Sequence, residues 1–69
     1  MNLKNFGLNL AKARTAKGIS AYELSLRIGK APNYIHRIEY GANTSVKTVF
    51  EICDILQIDP VILFARQNA

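Results

Sequence analysis

The stretch from Ser20 to Gly41 constrains the fold most, because it contains two helix signals separated by a very short turn. Ser20 is a favourable helix N-cap, and Glu23 three residues later completes a capping box, so a helix is predicted to begin here. Gly29 suits the position just after a helix, where the backbone turns left-handed. Pro32 suits the first position of a second helix, since it has no N–H to leave unsatisfied.

Apolar residues give each of these two predicted helices one face to bury. Leu24 and Ile28 lie four residues apart on the first helix, and Ile35 and Ile38 lie three apart on the second. Ser25 is small enough for the second helix to cross closely at that point. Two helices that cross at a small residue after a short turn form a helix-turn-helix, which is the motif that the stretch predicts.

The outward face of the second predicted helix carries groups that bind nucleic acid. At about 100° per residue, Asn33, His36, Arg37 and Tyr40 fall together on the side opposite the isoleucines. Amide, imidazole, guanidinium and phenol groups bind base edges and phosphates, whereas a solvated face more often carries Glu and Lys pairs. The face is therefore predicted to read DNA, with an ordinary polar surface as the alternative.

The distribution of charge also favours a polyanionic partner. The chain has nine Lys and Arg residues and five Asp and Glu residues, for a formal net charge of +4. Residues 1–41 hold seven of the basic and two of the acidic residues, a balance of +5, while residues 42–69 hold two and three, a balance of −1. The positive field therefore belongs to the half with the predicted motif.

Composition excludes several other classes of function. A chain of 69 residues has room for one domain, residues 1–69, with one small core. Cys53 is the only cysteine, so an internal disulfide is impossible, and its apolar helix face favours a buried role over a reactive thiol. No nucleophile–base pair, metal spacing or phosphate-binding loop appears, so no enzyme, cofactor, metal or small-molecule ligand is expected. No membrane span or signal-peptide core is present, which predicts a cytoplasmic protein.

Three further helices are predicted outside the motif. Helix 1 is expected over Leu3 to Lys17, with Phe6 and Leu10 on its buried face and Asn9 largely away from that face. Gly7 weakens this helix, which suggests that another helix passes close to it.

Helices 4 and 5 complete a predicted all-α fold of five helices. Helix 4 is expected from Ser45 to Leu56 with Val46 among its buried residues. Asp59 and the proline after it are an N-cap and N1 pair that begins helix 5, in which Leu63 and Phe64 are expected to face the core. The last four residues, 66–69, are expected to fray.

The chain resembles the Cro and phage-repressor type of helix-turn-helix protein, the Xre-like family with a five-helix lambda-repressor-like fold. The resemblance covers roughly residues 5–64, and its most specific segments are KGIS–ELSLRIG, YIHRIEYG and ICDILQIDP–ILF. It implies a sequence-specific DNA-binding transcriptional regulator, most often a repressor. Such proteins usually bind double-stranded DNA as homodimers, with helix 3, here about Pro32 to Tyr40, in the major groove.

The resemblance also implies roles for individual residues. Pro32, Asn33 and Arg37 match the main base-facing positions of the family, and His36 shares their face. Tyr40 matches a position that often contacts phosphate, and four other residues around the motif are further phosphate candidates. These are Lys30, Asn43, Tyr22 and Tyr34, of which the two tyrosines are equally suited to covering the core.

One family feature is present in the sequence and another is missing. Arg14 and Glu39 match an ion pair that ties helix 1 to the end of helix 3 in the family, which explains an acid on a DNA-binding helix. Many relatives carry Gln at the start of helix 2 and a polar residue at the start of helix 3, where this chain has Ala21 and Pro32. Base reading is therefore expected to shift further along helix 3.

Apolar residues at expected surface positions predict a protein contact. Val61 and Ile62, with Pro60 before them, match the region that often forms the dimer contact in the family. Leu26 and Phe50 are the next candidates for this contact. These residues also leave open an alternative function, a protein-binding adaptor or antitoxin-like module built on the same fold.

Overall fold

The computed structural model describes residues 3–66, which form four α-helices and one short 3-10 helix, with no strand among them. The predicted all-α fold is confirmed, but the prediction of a fifth α-helix is wrong, because that segment forms the 3-10 helix. The elements in chain order are α1 (Leu3–Ala16), α2 (Ala21–Arg27), α3 (Tyr34–Glu39), α4 (Val46–Leu56) and the 3-10 helix η1 (Pro60–Phe64). The predicted frayed tail lies, apart from Arg66, outside the described residues.

The segment η1 begins as predicted but does not become an α-helix. The side chain of Asp59 accepts a hydrogen bond from the N–H of Val61 at 3.0 Å, so the predicted cap is present. The chain then leaves the helix in an extended conformation at Ala65. The carbonyls of Leu63 and Ala65 accept hydrogen bonds from Asn9 Nδ2 at 3.0 and 2.7 Å. A side chain of α1 therefore satisfies carbonyls at this helix end.

Asn9 was predicted to lie away from the buried face of the first helix, and that prediction is wrong. Its exposed fraction is 7%, because the amide is turned toward η1 rather than toward solvent. Phe64 was predicted to face the core, but it is 45% exposed. One part of its ring still packs on Phe6, with ring centroids 5.3 Å apart.

The core lies where the helices meet, and α4 contributes a continuous stripe to it. Val49, Ile52 and Leu56 are buried at the three- and four-residue spacing of one helix face. Val46 was predicted to join them but is 72% exposed, because it lies four residues before Phe50 on the outer face of α4. The other buried apolar residues are Phe6, Leu10, Ala21, Leu24, Ile35, Ile38, Cys53 and Leu63.

Cys53 occupies the predicted buried position on α4, with an exposed fraction of 3%. Burial raises the pKa of its thiol, and the negative charges of Asp54 and Asp59 raise it further. A raised pKa lowers the thiolate fraction at neutral pH, and the thiolate is the reactive form of cysteine. Cys53 therefore serves as a small apolar core residue.

Ser20 and Gly29 lie at the two ends of α2, the first helix of the motif. The Ser20 hydroxyl accepts a hydrogen bond from the N–H of Glu23 at 3.0 Å, as the sequence predicted. Gly29 ends α2 with a φ of +74°, and the next N–H, of Lys30, donates to the Ser25 carbonyl at 2.9 Å.

None of the helices in the described part of the chain has the length and apolar character that a bilayer crossing requires.

Candidate nucleic-acid interface

Helix α3 begins later than the sequence predicted. Pro32 was expected at its first position, but the helix begins at Tyr34 with Asn33 as its N-cap, and Pro32 lies in the preceding turn. The N–H of Tyr34 donates to the Ala31 carbonyl at 3.0 Å, which closes that turn. The predicted helix boundary is therefore wrong by two residues, and Pro32 contributes to the turn instead.

A hydroxyl group on α2 caps the start of α3. The side chain of Asn33 makes no capping hydrogen bond, and the N–H of Ile35 instead donates to Ser25 Oγ at 3.0 Å. The same hydroxyl donates to the Ala21 carbonyl at 2.7 Å, and Ser25 is fully buried. Ser25 was predicted only to be small, whereas it also fixes the start of α3 against α2.

Removing this hydroxyl leaves a buried amide without its partner. We expect Ser25→Ala to lower the free energy of unfolding by about 1–3 kcal/mol, because an unsatisfied buried donor loses its full solvation. Urea denaturation followed by circular dichroism measures the change. Ser20→Ala is the matched control, since its hydroxyl caps α2 at an exposed site, where the loss is about 1 kcal/mol or less. A Ser25→Ala protein as stable as the wild type would contradict the capping role.

Helix α1 lies unusually close to the end of α3. A Cβ atom built on Gly7 would lie 2.4 Å from the carbonyl oxygen of Glu39 and 2.7 Å from that of Ile38. Only glycine leaves room for this approach, so the close passage suggested by the sequence is present. It brings the backbone of α3 directly against α1.

The ion pair between Arg14 and Glu39 holds the same two helices together. Arg14 Nε lies 2.6 Å from Glu39 Oε2, and its Nη2 lies 3.2 Å from Oε1, so the contact is bidentate. A third nitrogen, Nη1, donates to the Ile19 carbonyl at 3.0 Å. The two side chains are 15% and 8% exposed, which shields the carboxylate from the outer face of α3.

The outer face of α3 presents the polar row predicted from its sequence. His36, Arg37 and Tyr40 are exposed, Tyr40 by 85%, while Ile35 and Ile38 are buried on the opposite side. The rings of His36 and Tyr40 lie with centroids 6.4 Å apart, so the two side chains form one continuous surface. Asn33 is also exposed, at the N-terminal end of the row.

The predicted phosphate-binding residues lie on the elements around this row. Lys30 Nζ lies 5.4 Å from the centroid of the Tyr34 ring, a cation–π contact between the turn and the start of α3. The Tyr34 hydroxyl and Thr44 Oγ1 form a 2.8 Å hydrogen bond, which joins α3 to the following loop. The Tyr34 hydroxyl thus links α3 to this loop, while Tyr22 and Asn43 are exposed.

The comparison with known protein families identifies the fold. A family model described as helix-turn-helix, HTH_3, matches residues 10–63. The chain belongs to this helix-turn-helix family. The resemblance to Cro-like and Xre-like proteins is therefore confirmed, and the protein is a DNA-binding transcription regulator of that family.

A solved structure supports the same assignment for nearly the whole length of this helix-turn-helix protein. This chain is similar to the crystal structure of the restriction-modification controller protein C.AhdI from Aeromonas hydrophila, with 35% sequence identity and a TM-score of 0.83. The similarity covers 90% of this chain and 96% of that one. No match was found among curated proteins.

Proposed function

We propose that this protein is a sequence-specific repressor that binds an operator as a two-fold dimer, with α3 in the major groove of each half-site. The observation that carries the proposal is the exposed row of His36, Arg37 and Tyr40 on a helix whose other face is fixed by contacts with α1 and α2. Because the backbone of this helix is fixed before binding, only its exposed side chains lose conformational entropy when DNA binds. Repression requires only that the operator overlap a promoter.

Within this proposal, the residues of the motif divide into two groups. Arg37 and Asn33 hydrogen-bond base edges, assisted by His36 and by Pro32 in the turn, because guanidinium and amide groups pair bidentately with guanine and adenine. The second group contacts phosphates and positions the helix without reading sequence. It comprises Lys30, Tyr34, Tyr40, Tyr22 and Asn43.

The role of Arg37 predicts a loss of specificity. Once an operator has been selected from a random DNA library, Arg37→Ala should lower the preference for that operator over random DNA by about 1–3 kcal/mol, the value of one bidentate base contact. Electrophoretic mobility shifts on both DNAs measure this preference. Equal losses of affinity on the operator and on random DNA would instead make Arg37 a phosphate contact.

Lys30→Ala provides the contrast. Because Lys30 is proposed to contact phosphate, its loss should weaken binding to both DNAs and reduce the salt dependence by about one unit of slope. Lys47→Ala, which removes an exposed cation from α4, is the control for net charge alone. A wild-type protein that gives no salt-dependent mobility shift on any DNA would favour the adaptor alternative, for which the exposed Leu26 and Val61 are the supporting observation.

The proposed dimer rests on the start of η1. Val61 and Ile62 are 65% and 45% exposed beside Pro60, while Leu63 faces the core, so the apolar side chains point away from the domain. One helix in one groove reads too few base pairs to distinguish an operator from a genome of competing sites. A pair of domains doubles the readout and sets the half-sites about 34 Å apart.

Negative charge on this surface should prevent the proposed dimer from forming. We expect the double variant Val61→Glu with Ile62→Glu to retain the fold, lose cooperative binding to a two-half-site operator and keep weak binding to a single half-site. Titrations of both DNAs and sedimentation equilibrium measure the effect. Wild-type affinity of the double variant for the palindrome would place the interface elsewhere, with Leu26 and Phe50 as the next surface to substitute.

A further inference from the structure

A groove lies on the side of α1 away from the α3 face. It has a volume of about 530 Å³, is open to solvent, and lies between the C-terminal half of α1 and the segment from Ile58 to Arg66. No residue of α2 or α3 lines it. The groove is therefore separate from the surface proposed to bind DNA.

The rim of the groove is positively charged and its floor is apolar. Lys12 and Lys17 on α1 and Arg66 on the opposite side form the rim, and none of the five acidic residues of the chain lines the groove. Within residues 3–66, Lys17 and Arg66 form no ion pair. The floor includes Ala13 and Ile62. Two cations with no acidic neighbour in the groove create a local positive potential over an apolar surface.

The shape of the groove favours an elongated occupant. Ala13 and Ala16 lie three residues apart, so they share one side of α1 and let another backbone approach closely. An amphipathic helix that binds a groove buries residues at three- and four-residue spacing and leaves its flanks for charge pairing. DNA phosphates would match the rim but leave the apolar floor uncovered.

We propose that this groove is a docking site for an acidic amphipathic helix of a partner protein. The apolar stripe of that helix lies on Ala13, Ile58 and Ile62, and carboxylates on its two flanks pair with Lys17 and Arg66. This site gives the domain a protein contact that is independent of the α3 face. Ile62 lines both this groove and the proposed dimer surface, so the test must distinguish a partner helix from a second copy of the chain.

The test uses a fluorescein-labelled helical peptide of about 16 residues, long enough to form several turns. Leucines recur along it every third or fourth residue, with glutamates on both flanks. Fluorescence anisotropy should show binding that falls about tenfold in the Lys17→Glu, Arg66→Glu double variant, because two attractive contacts become repulsive. Lys47→Glu, an exposed charge reversal outside the groove, should change the affinity less than twofold. A peptide with glutamine in place of glutamate should bind the wild type more weakly than the original peptide does, and the double variant should lower its affinity much less.

Four results would overturn the proposal. No detectable binding, or an equal loss in Lys47→Glu, would show that the groove does not recognise the helix. Competition by DNA with a single half-site, which binds one domain, would place the peptide on the α3 face. A double variant that changes the monomer–dimer equilibrium but not peptide affinity would assign the groove to a second copy of this chain.

Discussion

Glu39→Ala is expected to lower the free energy of unfolding by about 3–5 kcal/mol, because it leaves the guanidinium of Arg14 buried without its carboxylate partner. Both side chains of the pair are largely shielded from water, and the contact uses two guanidinium nitrogens. Thermal and urea denaturation measure the loss. The variant should also bind DNA weakly, since the pair joins α3 to α1.

An exposed ion pair in the same protein is the control. Glu23 and Arg27 lie four residues apart on α2, 3.3 Å from each other, with side chains about half exposed. Glu23→Ala should therefore change stability by about 0.5 kcal/mol or less. The double variant Arg14→Met, Glu39→Leu should recover much of the stability, because it removes both buried charges. A melting temperature that is unchanged in Glu39→Ala would contradict this account.

Gly7→Ala is expected to destabilise the protein by about 3 kcal/mol, near the upper end of the usual cost of overpacking. The added Cβ would meet two backbone carbonyl oxygens at 2.4 and 2.7 Å, and a backbone cannot swing aside as a long side chain can. Helix α3 would have to move away from α1, so affinity for the operator should fall as well. Denaturation and mobility-shift measurements on the same variant test both effects.

The sign of the Gly7→Ala effect discriminates between two explanations for the glycine. Alanine is the better helix former by about 0.5–1 kcal/mol, so helix propensity alone predicts a more stable protein. Ala11→Gly supplies the calibration, because it changes propensity elsewhere on α1 in the opposite direction. A stabilised Gly7→Ala protein would show that α1 and α3 can separate at little cost.

Local signals predicted the elements and the outer face of α3 well. The Ser20 cap depends on residues within one turn of each other, so the sequence contains all the information that determines it. The exposed His36, Arg37 and Tyr40 follow in the same way from helical periodicity. The Arg14–Glu39 contact joins residues 25 positions apart, and only the family resemblance indicated it.

The errors occurred where a distant side chain determines the local structure. Asn9 binds carbonyls 54 and 56 residues away, which no periodicity on α1 reveals, and the end of η1 depends on those bonds. Ser25 likewise sets the start of α3 from another helix, so the proline signal at Pro32 misplaced that start. A hydroxyl at a fully buried helix crossing is the sequence signal for such a cap, because a buried polar group needs a partner.

Helix α1 has a mechanical consequence for the proposed dimer. Gly7 and Arg14, seven residues apart, lie on one stripe that holds α3, whereas Asn9 lies about 200° around the helix from Gly7 and holds η1. The width of α1, about 10–12 Å with its side chains, therefore lies between α3, which carries the proposed DNA-binding face, and η1, which carries the proposed dimer surface. In the proposed dimer, the distance between the two α3 helices then depends on how α1 holds α3 and η1. The spacing of the half-sites is therefore a property of α1 and not of the residues that contact the bases.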